Sequence, residues 1–432
     1  MDWFTIGLCF LLMLLGWTTI YSTGFHDGGQ SFFDFDTESG KQLFWIGICA
    51  ILALIIINIE GSFFNQFAWP MYGFIMLLLV LVLLVGKEVG GAKAWFRIGS
   101  FGIQPSEFSK MAIALVMARF IAESGSKFRQ VNTRLKAAGI LLFPAGLILL
   151  QPDLGTVLVY SGFIFVLYRE GLSGAILIGG MGGIALGVIC IIMGQSTIDY
   201  PFFGEAGGEF LLYGMVIFVT GISLLSVKLF TLPRHRKKRI WGAALWGLAA
   251  IIFSVGVSTV MKTDMLLKGY QKQRILITLG QVEDPQGSGY NLDKSKMAIG
   301  SGGFTGKGYL HGPMTKFNYV PEQSTDFIFS TIGEEWGFVG CFIVIILQVT
   351  LCIRLIFLAE RQRSQFSRVY GYSCASILFM HLLINVGMVI GLAPVIGIPL
   401  PFFSYGGSSI MGFTILISIM LRLDAERLTI FR

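Results

Sequence analysis

Long apolar stretches separated by short polar segments dominate the sequence. Each stretch approaches the roughly 20 residues that a helix needs to cross a bilayer. Alternating segments of about 10 residues, which would indicate an outer-membrane barrel, are absent from the sequence. We therefore predict an all-α polytopic membrane protein with about twelve transmembrane helices. The predicted spans are 3–23, 42–58, 68–86, 106–122, 137–151, 154–168, 172–193, 210–230, 240–261, 326–353, 369–391 and 405–422.

The composition agrees with this class. Of the 432 residues, 54% are hydrophobic and 13% are charged, whereas a soluble domain carries about 25% charged residues. The first apolar stretch lacks the basic region and cleavage site of a signal peptide, so we predict that it is the first span. The six cysteines lie in apolar stretches and are predicted to be buried thiols rather than disulfides. The four histidines are scattered, which argues against a histidine-built metal site.

Basic residues are concentrated in the loops after the predicted fourth, eighth and tenth spans and at the end of the chain. Because basic loops stay in the cytoplasm, both termini are predicted to be cytoplasmic, in a bacterial inner membrane. The net charge of +7 then reflects topology and anionic lipid neighbours rather than nucleic acid. This threading places the long, polar, glycine-rich connection 262–325 on the outer face. Such a length is typical of a functional loop.

Charged residues inside membrane spans are costly and indicate function. Pro105 and Ser106 are typical of a helix start, which puts Glu107 and Lys110 on one helical face. The alternative is that Glu107 complements the helix dipole and Lys110 snorkels to the surface. Asp153, between two apolar stretches, is better interpreted as a turn or cap residue.

The outer connection holds two further features. The glycine-rich stretch 298–308 does not match the P-loop pattern. Ser301 stands where the pattern requires its first glycine, and Gly308 stands where it requires Ser or Thr after the lysine. A backbone cradle for a pyrophosphate and a chain of tight turns both remain open. Further on, Ser324 or Thr325 is predicted to cap the tenth span, with Asp326 in its first turn. From the pattern alone, Asp326 would then complement the helix dipole.

Six ordered motifs together resemble the SEDS family of shape, elongation, division and sporulation polymerases, which includes RodA, FtsW and SpoVE. The resemblance covers nearly the whole chain, and segments 270–274 and 306–312 are more similar to the RodA branch. The family has ten spans, so the chain is expected to be a single SEDS domain with an inserted helical pair at about 194–261. The motifs are Gln-Pro-Ser-Glu (104–107), Gln-Pro-Asp-Leu-Gly-Thr (151–156), Ala-Ile-Gly-Ser-Gly-Gly (298–303), Pro-Glu-x-x-Thr-Asp-Phe-Ile-Phe (321–329), Gly-Glu-Glu-x-Gly (333–337) and Ser-Tyr-Gly-Gly-Ser (404–408).

The resemblance implies an inverting peptidoglycan glycosyltransferase that joins lipid II into β-1,4-linked glycan for cell-wall elongation and cell shape. Its catalytic residues map onto Asp326, as general base, and Lys110. Lys110, Arg274, Lys307 or a divalent cation (Mg²⁺ or Mn²⁺) would stabilise the undecaprenyl pyrophosphate leaving group, and Glu322 would orient the acceptor or hold the ion. The other substrate-binding candidates are Glu107, Asp153, Trp95 and Ser404.

The resemblance also implies an external partner, a class B penicillin-binding protein, because the sequence shows no Ser-x-x-Lys transpeptidase domain. Two alternatives to a polymerase stay open at this point. A lipid II flippase would be expected to show inverted repeats, which the sequence does not. A non-catalytic scaffold for the penicillin-binding protein would leave Asp326 and Lys110 without a task.

Overall fold

A computed structural model describes residues 1–25, 33–89, 92–98, 101–125, 130–200, 204–231, 233–263, 269–282, 284 and 287–427. The chain forms two compact units. The first combines Met1–Leu172 with Asn291–Arg432, and the second is Ser173–Tyr290.

Helices account for most of the described residues. In chain order they are α1 (Trp3–Gly24), α2 (Glu38–Asn58), α3 (Gly61–Gln66), α4 (Ala68–Val85), α5 (Pro105–Ser124), α6 (Val131–Leu149), α7 (Leu154–Tyr160), α8 (Phe163–Arg169), α9 (Gly174–Gln195), α10 (Glu209–Phe230), α11 (Pro233–Lys262), α12 (Gly269–Thr278), α13 (Ser288–Gly302), α14 (Pro313–Lys316), α15 (Ile328–Glu360), α16 (Gln365–Val389) and α17 (Gly407–Ala425).

Ten of the described helices are long and apolar enough to cross a membrane, namely α1, α2, α4, α6, α9, α10, α11, α15, α16 and α17. The prediction of a helical multi-pass membrane protein is therefore confirmed. The other two predicted spans correspond to α5, which carries several charges, and to the short consecutive helices α7 and α8. The count of twelve spans stays a prediction.

The prediction of an all-α chain is incomplete, because two small antiparallel sheets are also present. In the first unit, β1 (Lys87–Val89), β2 (Ala92–Ile98) and β3 (Phe101–Ile103) form a sheet in the order β1-β2-β3. In the second unit, β4 (Thr197–Tyr200) pairs with β5 (Gly204–Gly207). These segments are too short to be spans, and strand pairing satisfies their backbone hydrogen bonds locally.

Helices α5, α16 and α17 form the centre of the first unit. α16 packs against both α5 and α15, and α17 packs against α2, α5 and α16. α16 and α17 are buried along most of their length. At the edge of this core, α1 contacts the segment before α17 through Gly16, where a Cβ would lie 2.4 Å from the Phe403 carbonyl oxygen.

In the second unit, α9, α10 and α11 pack against one another. They are joined by an ion pair between Glu209 and Lys262 and by the thiol of Cys190, which donates to the Ser254 carbonyl at 3.3 Å. All six cysteines of the chain are buried and free of disulfides, as predicted.

Gly16→Ala should destabilise the protein by about 1–3 kcal/mol, because the added methyl group overlaps backbone atoms that cannot move away cheaply. Gly7→Ala on the same helix is the matched control, since nothing lies within 4 Å of its Cβ position. That change should stabilise the helix by about 0.5–1 kcal/mol. Thermal unfolding in detergent measures both, and equal shifts for the two variants would contradict the close packing at Gly16.

Candidate active site

The start of α5 is fixed by its neighbours along the chain and in space. Pro105 occupies the first helical position, which confirms the predicted helix start, and its fixed φ and missing N–H suit that position. The Gln104 backbone N–H donates to Ser408 Oγ at the start of α17 (2.9 Å). Glu107 therefore enters the first turn of α5 inside the protein rather than at its surface.

Lys110 is buried one turn further along α5. Its side chain is 3% exposed, and Nζ lies 2.8 Å from Glu107 Oε2 and 2.9 Å from His381 Nε2. The ammonium also lies 5.1 Å from the centre of the Phe413 ring. The snorkelling alternative is therefore wrong, because the lysine points into the core between α5, α16 and α17 and finds its counter-charge there.

Asp153 caps α7, which confirms the interpretation as a cap. Its carboxylate accepts from the Thr156 backbone N–H (3.1 Å) and hydroxyl (2.9 Å). It also accepts from Gln104 Nε2 (3.1 Å) and Ser106 Oγ (3.2 Å) at the start of α5. Asp153 thus ties the starts of two helices together, and a role in substrate binding stays a prediction.

Asp326 lies in a turn before α15, and not in the first turn of that helix. α15 begins at Ile328 without a side-chain cap, so the predicted capping by Ser324 or Thr325 is wrong. The physical reason is a tight turn in which the Thr325 hydroxyl donates to Glu322 Oε2 (3.1 Å). The Phe327 N–H donates to the Glu322 carbonyl (3.1 Å), with Glu322 at φ 52°.

The half-buried Asp326 is held against the segment that precedes α17. Its backbone carbonyl accepts from Asn385 Nδ2 (2.9 Å), which also donates to the Ile398 carbonyl (2.6 Å). A Cβ at Gly397, which has φ 78°, would stand 2.9 Å from Asp326 Oδ2. Only a residue without a side chain admits the carboxylate this closely.

The glycine-rich stretch consists of the end of α13 and a chain of turns. The N–H groups at its end already have partners, because those of Lys307 and Gly308 donate to the carbonyls of Glu334 and Glu335 (3.0 Å each). The Leu310 N–H donates to Glu335 Oε1 (3.1 Å). The structure therefore favours the tight turns over a pyrophosphate cradle.

The buried Glu334 holds this loop against α15. It accepts from Lys307 Nζ (2.9 Å) and from the Met314 (3.0 Å) and Thr315 (2.8 Å) N–H groups. Burial raises the pKa of Tyr309 to about 12, so its hydroxyl stays protonated and donates to the Thr18 carbonyl (2.9 Å). Lys307 is paired with the Glu334 carboxylate, and its contact with substrate stays a prediction.

The remaining candidates are dispersed. Trp95 lies on β2 against Gly102, and the buried Ser404 hydroxyl accepts from the Leu400 N–H (2.9 Å) within a turn. The exposed Glu322 borders a cavity of 520 Å³ between the end of α1, the start of α2 and segment 318–324. Arg274 belongs to α12 of the second unit, where its guanidinium lies 5.7 Å from the Tyr270 ring centre. Their roles in substrate binding stay predictions.

Within the described ranges, no three His, Cys, Asp or Glu side chains are grouped as a metal site would require. The protein side chains there do not form a cation site by themselves, so we derive no step through Mg²⁺ or Mn²⁺. A divalent ion stays a prediction.

Sequence reasoning missed His381, Asn385 and Gln348, although all three are polar residues inside apolar spans. Gln348 donates to the Pro401 carbonyl (2.7 Å), next to the segment that Asn385 holds. His381 and Asn385 are four residues apart, which places them on one face of α16. Because polar groups are costly to bury in a membrane, their presence inside apolar spans was the signal that would have identified them.

Comparison with known proteins gives one family. The family model for FtsW, RodA and SpoVE, described as "Cell cycle protein", matches residues 2–202 and 239–429. The peptidoglycan glycosyltransferase RodA of Treponema pallidum is 30% identical, over 99% of this chain and 98% of its own. The peptidoglycan glycosyltransferase MrdB of Escherichia coli K12 is 31% identical, over 88% of this chain and 84% of its own.

Solved structures share the fold. A chain from "Structural coordination of polymerization and crosslinking by a peptidoglycan synthase complex" matches with a TM-score of 0.68 and 27% identity, over 99% of this chain and 98% of that one. The rod shape determining protein RodA of Thermus thermophilus matches with a TM-score of 0.60 and 24% identity, over 99% and 97%.

Glu107→Gln should destabilise the protein by about 3–5 kcal/mol, because it leaves the Lys110 charge buried without a counter-charge. Adding Lys110→Met should recover part of that loss. Glu123→Gln on the same helix is the control, since its ion pair with Arg119 is partly exposed and contributes about 0–1 kcal/mol. Thermal unfolding in detergent compares the variants, and an undiminished loss in the double variant would contradict the charge pairing.

Proposed function

The chain belongs to the family of FtsW, RodA and SpoVE, and on that basis we propose that it is a peptidoglycan glycosyltransferase that builds glycan strands for cell-wall elongation and cell shape. The substrate we propose is lipid II, a disaccharide-peptide carried on undecaprenyl pyrophosphate. The membrane protein would lie in the bacterial inner membrane with both termini in the cytoplasm, as the basic loops indicate.

One observation carries the proposal beyond family membership. The carboxylate of Asp326 lies in a turn outside the described helices. The segment against which it rests is connected, through one hydrogen-bonded side chain, to the buried ion pair of Lys110 and Glu107. Gly397 contacts Asp326, and Pro399, two residues later, accepts from His381, the partner of Lys110. A base and a cation are thus attached to one short stretch of backbone.

These two groups suit the reaction. The acceptor 4-hydroxyl would give its proton to Asp326 as its oxygen attacks the anomeric carbon of the donor. The bond from that carbon to the pyrophosphate oxygen breaks, and the electron pair leaves with undecaprenyl pyrophosphate. A single displacement inverts the anomeric centre and gives the β-1,4 linkage.

Lys110 would stabilise the negative charge that develops on the leaving pyrophosphate. An ammonium group has three N–H donors. Two of them have partners among the described residues, Glu107 and His381. We propose that the third donates to the donor pyrophosphate when lipid II is bound.

We also propose a class B penicillin-binding protein as partner. The support is the structural neighbour at 27% identity, which comes from a synthase complex that coordinates polymerization and crosslinking. The chain would supply the polymerization activity of such a complex, and the partner would supply the transpeptidase that crosslinks the strands.

Asp326→Asn should lower glycan synthesis from purified lipid II by at least about 10²-fold, because it removes the proposed general base while keeping the side-chain shape. The variant should still insert, and its unfolding temperature should stay close to that of the wild type. Gel electrophoresis of the glycan chains measures the rate.

Asp34→Asn is the control for this experiment, since Asp34 is an exposed aspartate before α2. It should polymerise at the wild-type rate. Translocation of lipid II without glycan synthesis by the wild-type protein would indicate a flippase instead. A rate for Asp326→Asn within a few-fold of wild type would move the search for the base to Glu322, Asp153 or Glu107.

The proposed orientation has its own test. A cysteine at Lys316, in α14, should react with an impermeant thiol reagent in intact spheroplasts. A cysteine at Arg363, exposed in the turn between α15 and α16, should react only after lysis. The native cysteines are all buried and should stay silent. The reverse pattern would overturn the threading.

A further inference from the structure

Two side chains on one face of α16 hold consecutive carbonyl groups of the segment before α17. His381 contacts the Pro399 carbonyl at 3.1 Å, and Asn385, one turn later, contacts the Ile398 carbonyl at 2.6 Å. Both residues are almost completely buried, with exposures of 1% and 0%. Neither forms part of the reaction as described above.

The hydrogen-bond partners of His381 fix its chemical state. A carbonyl oxygen only accepts, so Nδ1 must carry the hydrogen that is donated to Pro399. A lysine ammonium only donates, so the lone pair of Nε2 must accept from Lys110 (2.9 Å). His381 is therefore a neutral imidazole that connects Lys110 to the Pro399 carbonyl. Phe413 packs edge-on against the imidazole at 4.8 Å between ring centres.

Asn385 makes the equivalent connection on the side of Asp326. Its Nδ2 donates to the carbonyl of Asp326 (2.9 Å) and to that of Ile398. Both partners are acceptors, so the orientation of the amide is determined. Oδ1 is buried and has no hydrogen-bond partner in the described structure. The orientation of the amide thus satisfies its two N–H donors and leaves its acceptor oxygen without a hydrogen bond.

We propose that His381 and Asn385 are positioning residues that set the spacing between the Lys110 ammonium and the turn that carries Asp326. Four helical residues rise about 6 Å, which makes one turn of α16 the fixed distance between the two connections. The inference rests on the proposed function. It adds that α16 and segment 397–399 set the spacing, rather than a direct contact between Lys110 and Asp326.

The spacing matters because the two groups act at different ends of one displacement. Asp326 would act on the attacking hydroxyl, and Lys110 on the leaving pyrophosphate. A misplacement of about 1 Å in such an arrangement can cost about 10²-fold in rate. The loss should appear in kcat, since the substrate would still bind while the transition state is poorly aligned.

Two polar variants separate the contacts of His381. In His381→Gln the amide oxygen reaches the position of Nε2 and can still accept from Lys110. In His381→Asn the shorter amide reaches only the position of Nδ1, so the contact with Pro399 survives and that with Lys110 is lost. His381→Gln loses the contact with Pro399 instead. Because each variant breaks one of the two contacts that make the connection, we expect kcat for glycan synthesis to fall about 10–100-fold in both, with KM nearly unchanged.

Asn385→Ala should also lower kcat about 10–100-fold, because the Asp326 turn loses its attachment to α16. Ser373→Ala is the control on the same helix, since this buried hydroxyl donates only to the Val369 carbonyl of α16 itself (2.9 Å). It should retain the wild-type kcat. Unfolding temperatures confirm that each variant is folded before its rate is compared.

A double variant tests whether His381 acts through Lys110. In a Lys110→Met background, His381→Asn should cause little further loss, because its partner is already gone. An equal fold-loss in both backgrounds would overturn the inference. So would a wild-type kcat in His381→Asn or in Asn385→Ala, while an inactive wild-type protein would overturn the proposed function and this inference with it.

Discussion

The positive charge of Lys110, buried in the centre of the helical unit, sets conditions that the surrounding structure must meet. An isolated ammonium is too costly to bury, so it requires a carboxylate and further acceptors nearby. Glu107 meets the first condition from the first turn of the same helix, and His381 meets the second from α16. The start of α5 must therefore lie inside the protein, which is why its first turn is attached to Ser408 and Asp153 rather than to solvent.

A second consequence concerns the way in which each acidic residue is held in place. Glu107, Glu334 and Asp153 all have structural partners, which fix an ion pair, a loop and a helix cap. Asp326 differs, because its backbone rather than a helix dipole determines its place, and its side chain rests against a glycine. Asn385 thus holds Asp326 by its main chain, whereas Asp153 is held by its carboxylate. The contacts of each acidic residue thus follow from where its backbone is anchored.

Local sequence patterns predicted what depends on local physics. The helical membrane class, the start of α5 at Pro105 and the cap at Asp153 each rest on neighbouring residues, and the structure confirms them. The errors concern long-range contacts. Whether Lys110 snorkels depends on His381, which lies 271 positions away, and the local sequence does not show that the two residues meet. The Asp326 turn likewise depends on Asn385, 59 positions away, so a hydroxyl before an apolar stretch was mistaken for a helix cap.

The distribution of the candidate residues over the two units adds a last constraint on how this chain can vary. Of the nine predicted site residues, all except Arg274 lie in the first unit. The only internal stretch that the family model leaves unmatched, 203–238, lies in the second unit and includes α10. A buried ion pair and its linked carbonyls tolerate little displacement, because breaking one contact leaves the others unsatisfied. Insertions are therefore expected away from the network around Lys110. The residues described for that network all belong to the first unit, whereas the unmatched stretch belongs to the second, whose helices have mostly exposed faces.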